Sequence, residues 1–323
     1  MQKPQPLFLI SLDFELHWGV SYRLTVEQYK KNLDGTRDGI NKTLQVFNEN
    51  NIHVTWATVG FLFFDNKTEL LKNVPKKLPH FAHKKFSNYE LLNEIGNNEE
   101  ADPYHFGWNV LKNIKEYKNQ EIATHTFSHL YCLEDGITAN DFRQDLLTAI
   151  EVGKQKGIKI ESIVFPRNQF NEEHTAICKE LGIIYRSNPD GYFYKGTKTE
   201  DQNIFIKGFR FIDSFINILG HTDFSLQECN NNDVLNVKGS RFLRPFSNKF
   251  KFLENLKIKR IFAEMTNAAK NGNAYHLWWH PHNFGVHTND NILNLQKIIS
   301  HFKFLEKKYN MKSCCMNEIS NYL

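Results

Sequence analysis

The chain has 323 residues, of which 41% are hydrophobic and 24% are charged, and its formal net charge is +4. This composition is typical of a globular protein, so it excludes a fibrous chain or one that is disordered over most of its length. Lysine and arginine are spread along the sequence without a block of five like charges, and we therefore expect no nucleic-acid partner. The length suits either one large domain with insertions or two ordinary domains.

Apolar runs and helical spacings alternate along the chain. Compact apolar or β-branched runs predict strands at residues 7–12, 52–64, 121–124, 158–165, 183–186 and 274–280. Apolar residues at helical spacing predict helices at residues 25–50, 102–117, 139–157, 172–181 and 292–309. Alternation of this kind is typical of an α/β protein with a parallel sheet.

A barrel is the form of α/β fold that the sequence favours. Residues capable of chemistry recur just after several different strands, as they do in barrel enzymes. No glycine-rich phosphate loop follows the first strand, so a dinucleotide-binding sheet has little support. Residues 66–100 and 188–259 do not fit the alternation. We interpret both as insertions over the C-terminal mouth of one domain that spans residues 1–323.

The cysteines and the N-terminal segment bear on the compartment. The five cysteines contain no C-x-x-C pair, which favours reduced thiols. The apolar run at residues 7–12 is too short for a signal peptide, and no stretch reaches the roughly 18 apolar residues of a membrane span. We therefore expect a cytoplasmic protein without a membrane span.

Two carboxylates, Asp13 and Glu15, stand at the end of the first predicted strand. Alternate residues of a strand point to the same side, so both side chains should project together. Buried charges are costly unless they are paired or bind a metal. One carboxylate could therefore hold a metal while the other acts as a base. The alternative is a carboxylate that only caps the next turn.

Two histidines, His125 and His129, follow the strand at residues 121–124. Residues four apart lie on one face of a helical turn and can share a metal ion. A chain with 14 histidines should contain about one such pair by chance. The position after a strand and the neighbouring hydroxyl residues favour a metal site over two ordinary core or surface histidines.

A turn at Pro166, Arg167 and Asn168 follows the strand at residues 158–165. An arginine beside a carboxylate keeps that carboxylate ionised and oriented, and backbone N–H groups in a turn can face a developing oxyanion. We expect a catalytic role for Arg167 and a substrate contact for Asn168. The alternative is a plain strand exit bounded by proline.

Aromatic residues and histidines end the strand at residues 274–280. His280 could act as an acid there, beside aromatic residues that form a sugar-binding wall. The alternative is an aromatic core with an exposed histidine. The predicted substrate contacts are Trp18, Asn168, Arg244, Trp279 and His282.

The motifs follow one another as two carboxylates, two histidines, an arginine turn and a late histidine. In this order they resemble the motifs of the NodB-type polysaccharide deacetylase family. Residues 125–129 resemble the metal-binding H-[S/T]-x-x-H motif of that family, and residues 52–60 resemble its second strand. The chain has Asp13 and Glu15, one residue apart, where the family usually has two adjacent aspartates. Its Pro166-Arg167 replaces the usual Arg-x-Pro. The resemblance runs from residue 7 to about residue 284 and implies a distorted (β/α)7-type barrel with about seven strands.

The resemblance also implies one divalent metal, held by Glu15, His125 and His129. Zinc is the first expectation, and cobalt, nickel and iron are alternatives because imidazole and carboxylate ligands suit them too.

The resemblance implies proton transfers by two further residues. Asp13 would be the base, steadied by Arg167, and His280 would protonate the leaving amine. A backbone N–H after Arg167 would face the oxyanion. Asp13 and Glu15 could exchange roles, and His282 is a rival to His280.

The implied function is removal of an N-acetyl group from a carbohydrate, either a polysaccharide or its sugar precursor. One alternative is an allantoinase-like hydrolase of a cyclic amide. Another is a catalytically silent sugar-binding protein on the same fold. Intact Asp13, His125, His129 and His280 argue against the silent protein.

Overall fold

The computed structural model describes residues 4–190, 198, 204–231 and 234–323. Part of the predicted insertion at 188–259, namely residues 191–197, 199–203 and 232–233, lies outside the described residues. The described chain forms an α/β fold in which a row of seven parallel strands curls into a barrel-like sheet, and an eighth strand pairs with the central one. The predicted fold class is therefore confirmed.

The strands of the sheet are β1 Leu7–Phe14, β2 Val54–Thr58, β3 Gln120–Thr124, β4 Ser162–Val164, β5 Ile184–Arg186, β8 Arg241–Phe242, β9 Ala274–Trp279 and β10 Lys312–Cys314. A separate antiparallel pair consists of β6 Asn230–Asn231 and β7 Val234–Leu235. The order in the sheet is β5-β4-β3-β2-β1-β9-β8, and β10 pairs with β1. Every pair in the sheet is parallel, so the carboxyl ends of the strands lie at one edge.

Residues 236–242 connect the two sides of the sheet. The Val237 N–H donates to the carbonyl of Tyr185 in β5 at 2.8 Å. Three residues later, the Ser240 N–H donates to the carbonyl of His276 in β9, also at 2.8 Å. The segment therefore spans from β5 to β9, and the carboxyl ends of the strands surround a common mouth.

The central strand β1 is buried along its whole length. It pairs with β2 on one side and β9 on the other, and helices cover the sheet. Parallel strands buried in this way have nearly continuous apolar sequences. Asp13 is the one charged residue in this strand, and its burial has to be balanced by specific partners.

The helices are α1 Val26–Glu49, α2 Lys67–Asn73, α3 Trp108–Glu116, α4 Ala139–Gln155, α5 Glu172–Glu180, α6 Ile204–Asp213, α7 Glu254–Asn271 and α8 Thr288–Tyr309. Capping boxes begin α1 at Thr25 and α4 at Thr138, where each hydroxyl accepts from the third residue of its helix. None of the helices in the described part of the chain is both long and apolar enough to cross a membrane.

The predicted strands and helices agree with the structure except at their ends, and the sequence patterns also miss α2 and the β6–β7 pair. The strands predicted at residues 52–64 and 158–165 are shortened to β2 and β4. Short 3-10 helices at Gly60–Phe63 and Pro166–Asn168 turn the chain at the barrel mouth. The sequence patterns do not predict α6, α7, β8 or β10.

Residues 66–100 pack against the main core. Within this stretch, Phe81, Phe86, Tyr89, Leu92 and Ile95 are buried in the same cluster as the strands. The description of the chain as one domain with two insertions stays a prediction. The five cysteines are all among the described residues and are buried as free thiols.

Candidate active site

A cavity of about 440 Å³ opens at the carboxyl ends of the strands. Its lining residues follow β1, β3, β4 and β9, so the sheet brings together segments that are far apart in sequence. The predicted site residues that line the cavity are Asp13, Glu15, His125, His129, Arg167, Asn168, His280 and His282.

Asp13, near the end of β1, is bound by Arg186, the last residue of β5. Arg186 Nη1 donates to Oδ1 and Nη2 donates to Oδ2, each at 2.8 Å. Both side chains are buried. Burial raises the pKa of the Asp13 carboxyl, but the charge and hydrogen bonds of Arg186 and the nearby imidazoles of His125 and His280 together lower it by more, so the pKa lies below the ordinary value. Asp13 is therefore ionised at neutral pH and fixed in orientation.

Arg186 is itself fixed by neighbouring residues. Its Nη1 also donates to Ser11 Oγ at 2.7 Å, and Ser11 Oγ is 2.8 Å from His276 Nε2. Its guanidinium carbon lies 4.4 Å from the centre of the Trp278 ring, within range of a cation–π contact. Arg186 is not among the site residues predicted from the sequence. The available signal was a charge that closes an apolar strand, the same signal that pointed to Asp13.

Glu15 follows β1 directly, and its carboxylate lies between two imidazoles. Its Oε2 is 3.0 Å from His129 Nε2 and 3.4 Å from His125 Nε2. Burial raises the pKa of the Glu15 carboxyl, but the imidazoles of His280, His125 and His129 lower it by more, so that the net pKa lies well below the ordinary value.

A loop brings the two histidines together, and the helical turn expected from their spacing is absent at these residues. Thr126 and His129 adopt left-handed backbone conformations with φ of 62° and 59°. The buried carboxylate of Asp145 in α4 accepts hydrogen bonds from the backbone N–H groups of Phe127 and Ser128. These contacts hold the loop in the shape that makes both imidazoles face Glu15.

The side chains in this part of the site fit a divalent metal. His125 Nδ1 donates to the carbonyl of Val164 at 2.8 Å, so its Nε2 has a free electron pair. Such a second contact typically orients a metal-binding histidine. The ligand atoms of Glu15, His125 and His129 lie within 4.8 Å of one another, and all three residues are buried. Two imidazoles and a carboxylate form the ligand set of many catalytic zinc sites.

His280 and His282 stack on each other beside the two carboxylates. Their ring centres are 5.2 Å apart. His280 Nε2 lies 3.9 Å from Asp13 Oδ2 and 3.7 Å from Glu15 Oε1, and its side chain is 26% exposed. His282 is 3% exposed, and burial lowers its pKa to about 3. His280 therefore faces the open part of the cavity, whereas His282 is a buried neutral imidazole.

Glu15, His280 and His282 form a second set of possible ligands within the same distance limit. His280 is partly exposed in this set, whereas the set with His125 and His129 is fully buried. The set with His125 and His129 is thus the more enclosed of the two candidate metal sites.

Gly19 leaves the space that the Glu15 carboxylate occupies. A Cβ atom at position 19 would lie 2.0 Å from Glu15 Cδ and 2.1 Å from Oε1. Any larger residue would therefore displace the carboxylate.

Arg167 lines the cavity, but the predicted contact with Asp13 is made by Arg186. Arg167 has a φ of 56°, and its guanidinium carbon lies 5.1 Å from the centre of the Tyr22 ring. The left-handed turn directs it toward the cavity mouth.

The backbone N–H after Arg167 belongs to Asn168 and donates to the carbonyl of Phe165 at 2.9 Å. The prediction that it faces an oxyanion is therefore wrong, because the turn already uses this donor. The Asn168 side chain does line the cavity, and its Oδ1 has no hydrogen-bond partner among the described residues.

Two of the predicted aromatic contacts are core residues. Trp18 is 0% exposed, and its Nε1 donates to the carbonyl of His105. Trp279 is 1% exposed and stacks on Phe284. Trp278 lines the cavity instead, because neighbouring residues of a strand point to opposite sides.

Arg244 lies outside the 440 Å³ cavity and lines a second cavity of about 310 Å³. Five residues line both cavities: Asn188, Arg210, Phe242, Trp278 and His280. Arg244 is thus next to the candidate site without reaching its carboxylates.

Comparison with known proteins gives no match to a protein-family model or to a curated protein sequence. Solved structures match nearly the whole chain. A Mycobacterium smegmatis protein named "putative polysaccharide deacetylase" has a TM-score of 0.59 and 13% identity, over 99% of this chain and 90% of that one. The chain has the polysaccharide deacetylase fold.

Two further structures support the same assignment of the fold. A "probable Polysaccharide deacetylase" from Pseudomonas aeruginosa PAO1 has a TM-score of 0.54 and 11% identity, over 98% of this chain and 89% of that one. Puue allantoinase has a TM-score of 0.56 and 10% identity, over 99% and 90%. At such low sequence identity, the structural similarity establishes the fold only. The reaction has to be argued from the residues of the site.

Proposed function

We propose that the chain is a metal-dependent hydrolase that removes an N-acetyl group from a carbohydrate. The observation that carries the proposal is the convergence of Glu15, His125 and His129 with an arginine-bound Asp13 and a partly exposed His280 in one cavity. The fold shared with polysaccharide deacetylases supports the choice of substrate class.

The proposed metal ligands are Glu15, His125 and His129, with zinc as the expected metal. A divalent metal bound there would polarise the amide carbonyl and lower the pKa of a water molecule. Glu15 is assigned as ligand because its carboxylate lies between the two imidazoles, at 3.0 and 3.4 Å.

Asp13 is the proposed base that accepts the proton of the attacking water. Arg186 keeps the carboxylate ionised, and each oxygen retains an electron pair beyond its one hydrogen bond to the guanidinium. The different contacts of the two carboxylates support this assignment of roles: Asp13 is bound by an arginine, whereas Glu15 lies among imidazoles.

His280 is the proposed acid that protonates the departing amine. It lies less than 4 Å from both carboxylates and is the more exposed of the stacked pair. The proposed substrate contacts are the ring of Trp278 and the side chain of Asn168, which line the cavity; Asn168 Oδ1 has no hydrogen-bond partner among the described residues. Aromatic faces pack well against the C–H face of a sugar.

Hydrolysis of a cyclic amide is the second candidate, because Puue allantoinase matches with a TM-score between those of the two deacetylases. The cavity continues past Trp278 into the 310 Å³ side cavity, which favours a substrate larger than a small heterocycle.

Metal analysis together with an activity assay tests the proposal. The wild-type protein, His125→Ala and Asp13→Asn would be measured for metal content, and then for acetate release from N-acetylated sugars and for allantoin hydrolysis. We expect about one divalent ion per wild-type chain and none in His125→Ala. Asp13→Asn should keep the metal and lose activity about 100-fold or more.

His80→Ala is the matched control, because His80 is an exposed histidine outside the cavity. It should keep both metal and activity. A wild-type protein that stays free of metal after reconstitution would contradict the hydrolase and favour a silent sugar-binding protein. Loss of the metal in Asp13→Asn would indicate that Asp13 is the metal ligand and Glu15 the base.

A further inference from the structure

The side cavity of about 310 Å³ begins where the catalytic cavity ends. Phe242, Trp278 and His280 line both, so a substrate held at His280 can extend into it. Its other walls come from the end of α6 and from residues 240–244, which include Ser214 and Arg244. The side cavity therefore has the position of a subsite next to the scissile bond.

One arginine in the wall of the side cavity is fully neutralised. Arg241 forms ion pairs with Glu264 at 2.5 Å and with Asp213 at 3.0 Å. Arg260 shares the same two carboxylates. Two arginines thus balance two buried carboxylates, and this cluster leaves no negative charge over for another arginine.

The wall also contains Arg210 and Arg244, and Arg244 is a cation without a paired carboxylate in the described part of the chain. No carboxylate among the described residues pairs with it, and Lys257, which contacts its carbonyl, already pairs with Glu254. Its Nε donates to Ser214 Oγ at 2.7 Å, and its guanidinium lies over the Phe211 ring at 5.0 Å. These two contacts fix the plane of the guanidinium.

The terminal nitrogens of Arg244 have no hydrogen bond to any described residue, although the side chain is only partly exposed. Burial, together with the neighbouring charges of Arg241 and Arg210, lowers the pKa of Arg244 to about 10. It remains charged at neutral pH. A fixed guanidinium whose two terminal nitrogens are available is suited to bidentate binding of an oxyanion.

We propose that the side cavity is a subsite for an anionic oxygen group of the substrate, such as a carboxylate or phosphate, bound by Arg244. The inference deepens the proposed function by specifying an acidic N-acetylated sugar. The anion-binding step itself does not depend on the hydrolytic reaction.

Calorimetric binding of three sugars without an N-acetyl group tests the subsite apart from catalysis. The probes are glucuronate, glucose 6-phosphate and neutral glucose, added to the metal-loaded protein and to the chelator-treated protein. We expect at least one anionic sugar to bind about tenfold or more tightly than glucose, with or without metal. The two anionic probes distinguish a carboxylate from a phosphate ligand.

Arg244→Met should abolish this preference for the anionic sugar, and Arg244→Lys should keep part of it. Arg143→Met is the matched control, because Arg143 forms an exposed ion pair with Glu180 and lines neither cavity. Thermal unfolding checks that each variant is folded. If Arg244→Met does not fold, the comparison is made with Arg244→Lys.

Equal binding of glucose and the anionic sugars, or unchanged binding in the Arg244 variants, would overturn the proposal. So would anion binding that survives Arg244→Met and disappears on chelation, because the metal would then hold the anion. If Arg244 binds anions but the protein releases no acetate, the anion subsite is supported and the deacetylase function is contradicted.

Discussion

At the scale of single residues, Gly19 determines where the Glu15 carboxylate can lie. In Gly19→Ala the new Cβ would fall 2.0 Å from Glu15 Cδ, so the carboxylate has to move. We expect metal affinity to fall about tenfold or more, as for other changes that disturb the position of a ligand. Competition with a chromogenic chelator measures it.

Gly208→Ala is the control for this substitution. Gly208 lies in α6, and a Cβ there would meet nothing within 4 Å. Its metal affinity should equal that of the wild type. Unchanged affinity in Gly19→Ala as well would mean that Glu15 is not a ligand.

The pair of Asp13 and Arg186 gives a second prediction. Arg186→Leu leaves a buried carboxylate without its cation, and removing one partner of a buried pair costs about 3–5 kcal/mol of unfolding free energy. Urea denaturation measures this loss. Asp13→Asn combined with Arg186→Leu should recover part of it, because no uncompensated charge remains.

If Arg186→Leu unfolds at the same urea concentration as the wild type, the ion pair does not form in solution. Activity provides a second readout, since Arg186→Leu should raise the pKa of Asp13 and so reduce the fraction of the carboxyl that is ionised and able to accept a proton.

Trp278 illustrates what residue-level reasoning could and could not predict. His280 was placed at the site, and alternation along a strand puts residue 278 on the same side as residue 280 and residue 279 on the other. Applied consistently, this rule selects Trp278. Trp18 offered no such rule, because it follows β1 in a short 3-10 helix whose direction depends on the packing around His105.

At the scale of secondary-structure elements, the N-terminus of α5 predicts a dependence of stability on pH. His174 is 2% exposed, and its Nδ1 accepts a hydrogen bond from the Asn171 N–H. Burial lowers its pKa from 6.5 to about 4. Below pH 6.5 the unfolded chain takes up the proton first, so stability is lost as the pH falls toward 4.

This loss amounts to about 3 kcal/mol between pH 6.5 and 4, at about 1.4 kcal/mol per pH unit. In His174→Gln the side-chain oxygen can still accept from Asn171, but it does not titrate. Denaturation of both proteins at several pH values isolates this effect from other groups. Parallel stability curves for the two proteins would show that His174 titrates normally.

The elements that sequence reasoning located are those with a strong period and a buried face. β1 is a nearly continuous apolar run, and α1 and α4 are long helices with one buried face. Their positions could be predicted from these patterns. The strand β8 has only two residues, and its place in the sheet follows from hydrogen bonds to β9. Such an element has no local signal, because its partners lie far away in the sequence.

At the scale of the whole molecule, the order of the site motifs along the chain reflects the parallel sheet. The segments after β1, β3, β4 and β9 meet because their carboxyl ends share one edge. This much follows from the sequence once the alternation is recognised. The partner of Asp13 does not follow, because β5 reaches β1 across the barrel interior and does not pair with it in the sheet.

A site assembled from distant segments should couple metal binding to the stability of the whole fold. The ligands Glu15, His125 and His129 are together only in the folded state, so a metal that binds there stabilises it. At a free metal concentration about 100 times the dissociation constant, the gain is about 2.7 kcal/mol. We expect thermal unfolding of the wild type to shift upward with zinc and downward with a chelator.

His125→Ala should show no such shift, because one ligand is missing. A zinc-dependent shift of equal size in both proteins would place the ion elsewhere. His53, Cys315 and Glu318 form the group of possible ligands at the opposite end of β2 among the described residues. Glu318→Gln would abolish the shift if this group holds the ion, and His282→Gln would abolish it if the second set, Glu15, His280 and His282, holds the ion. This comparison separates a metal that belongs to the proposed site from one that merely binds the protein, because only the former couples β1 to β3 at the barrel mouth.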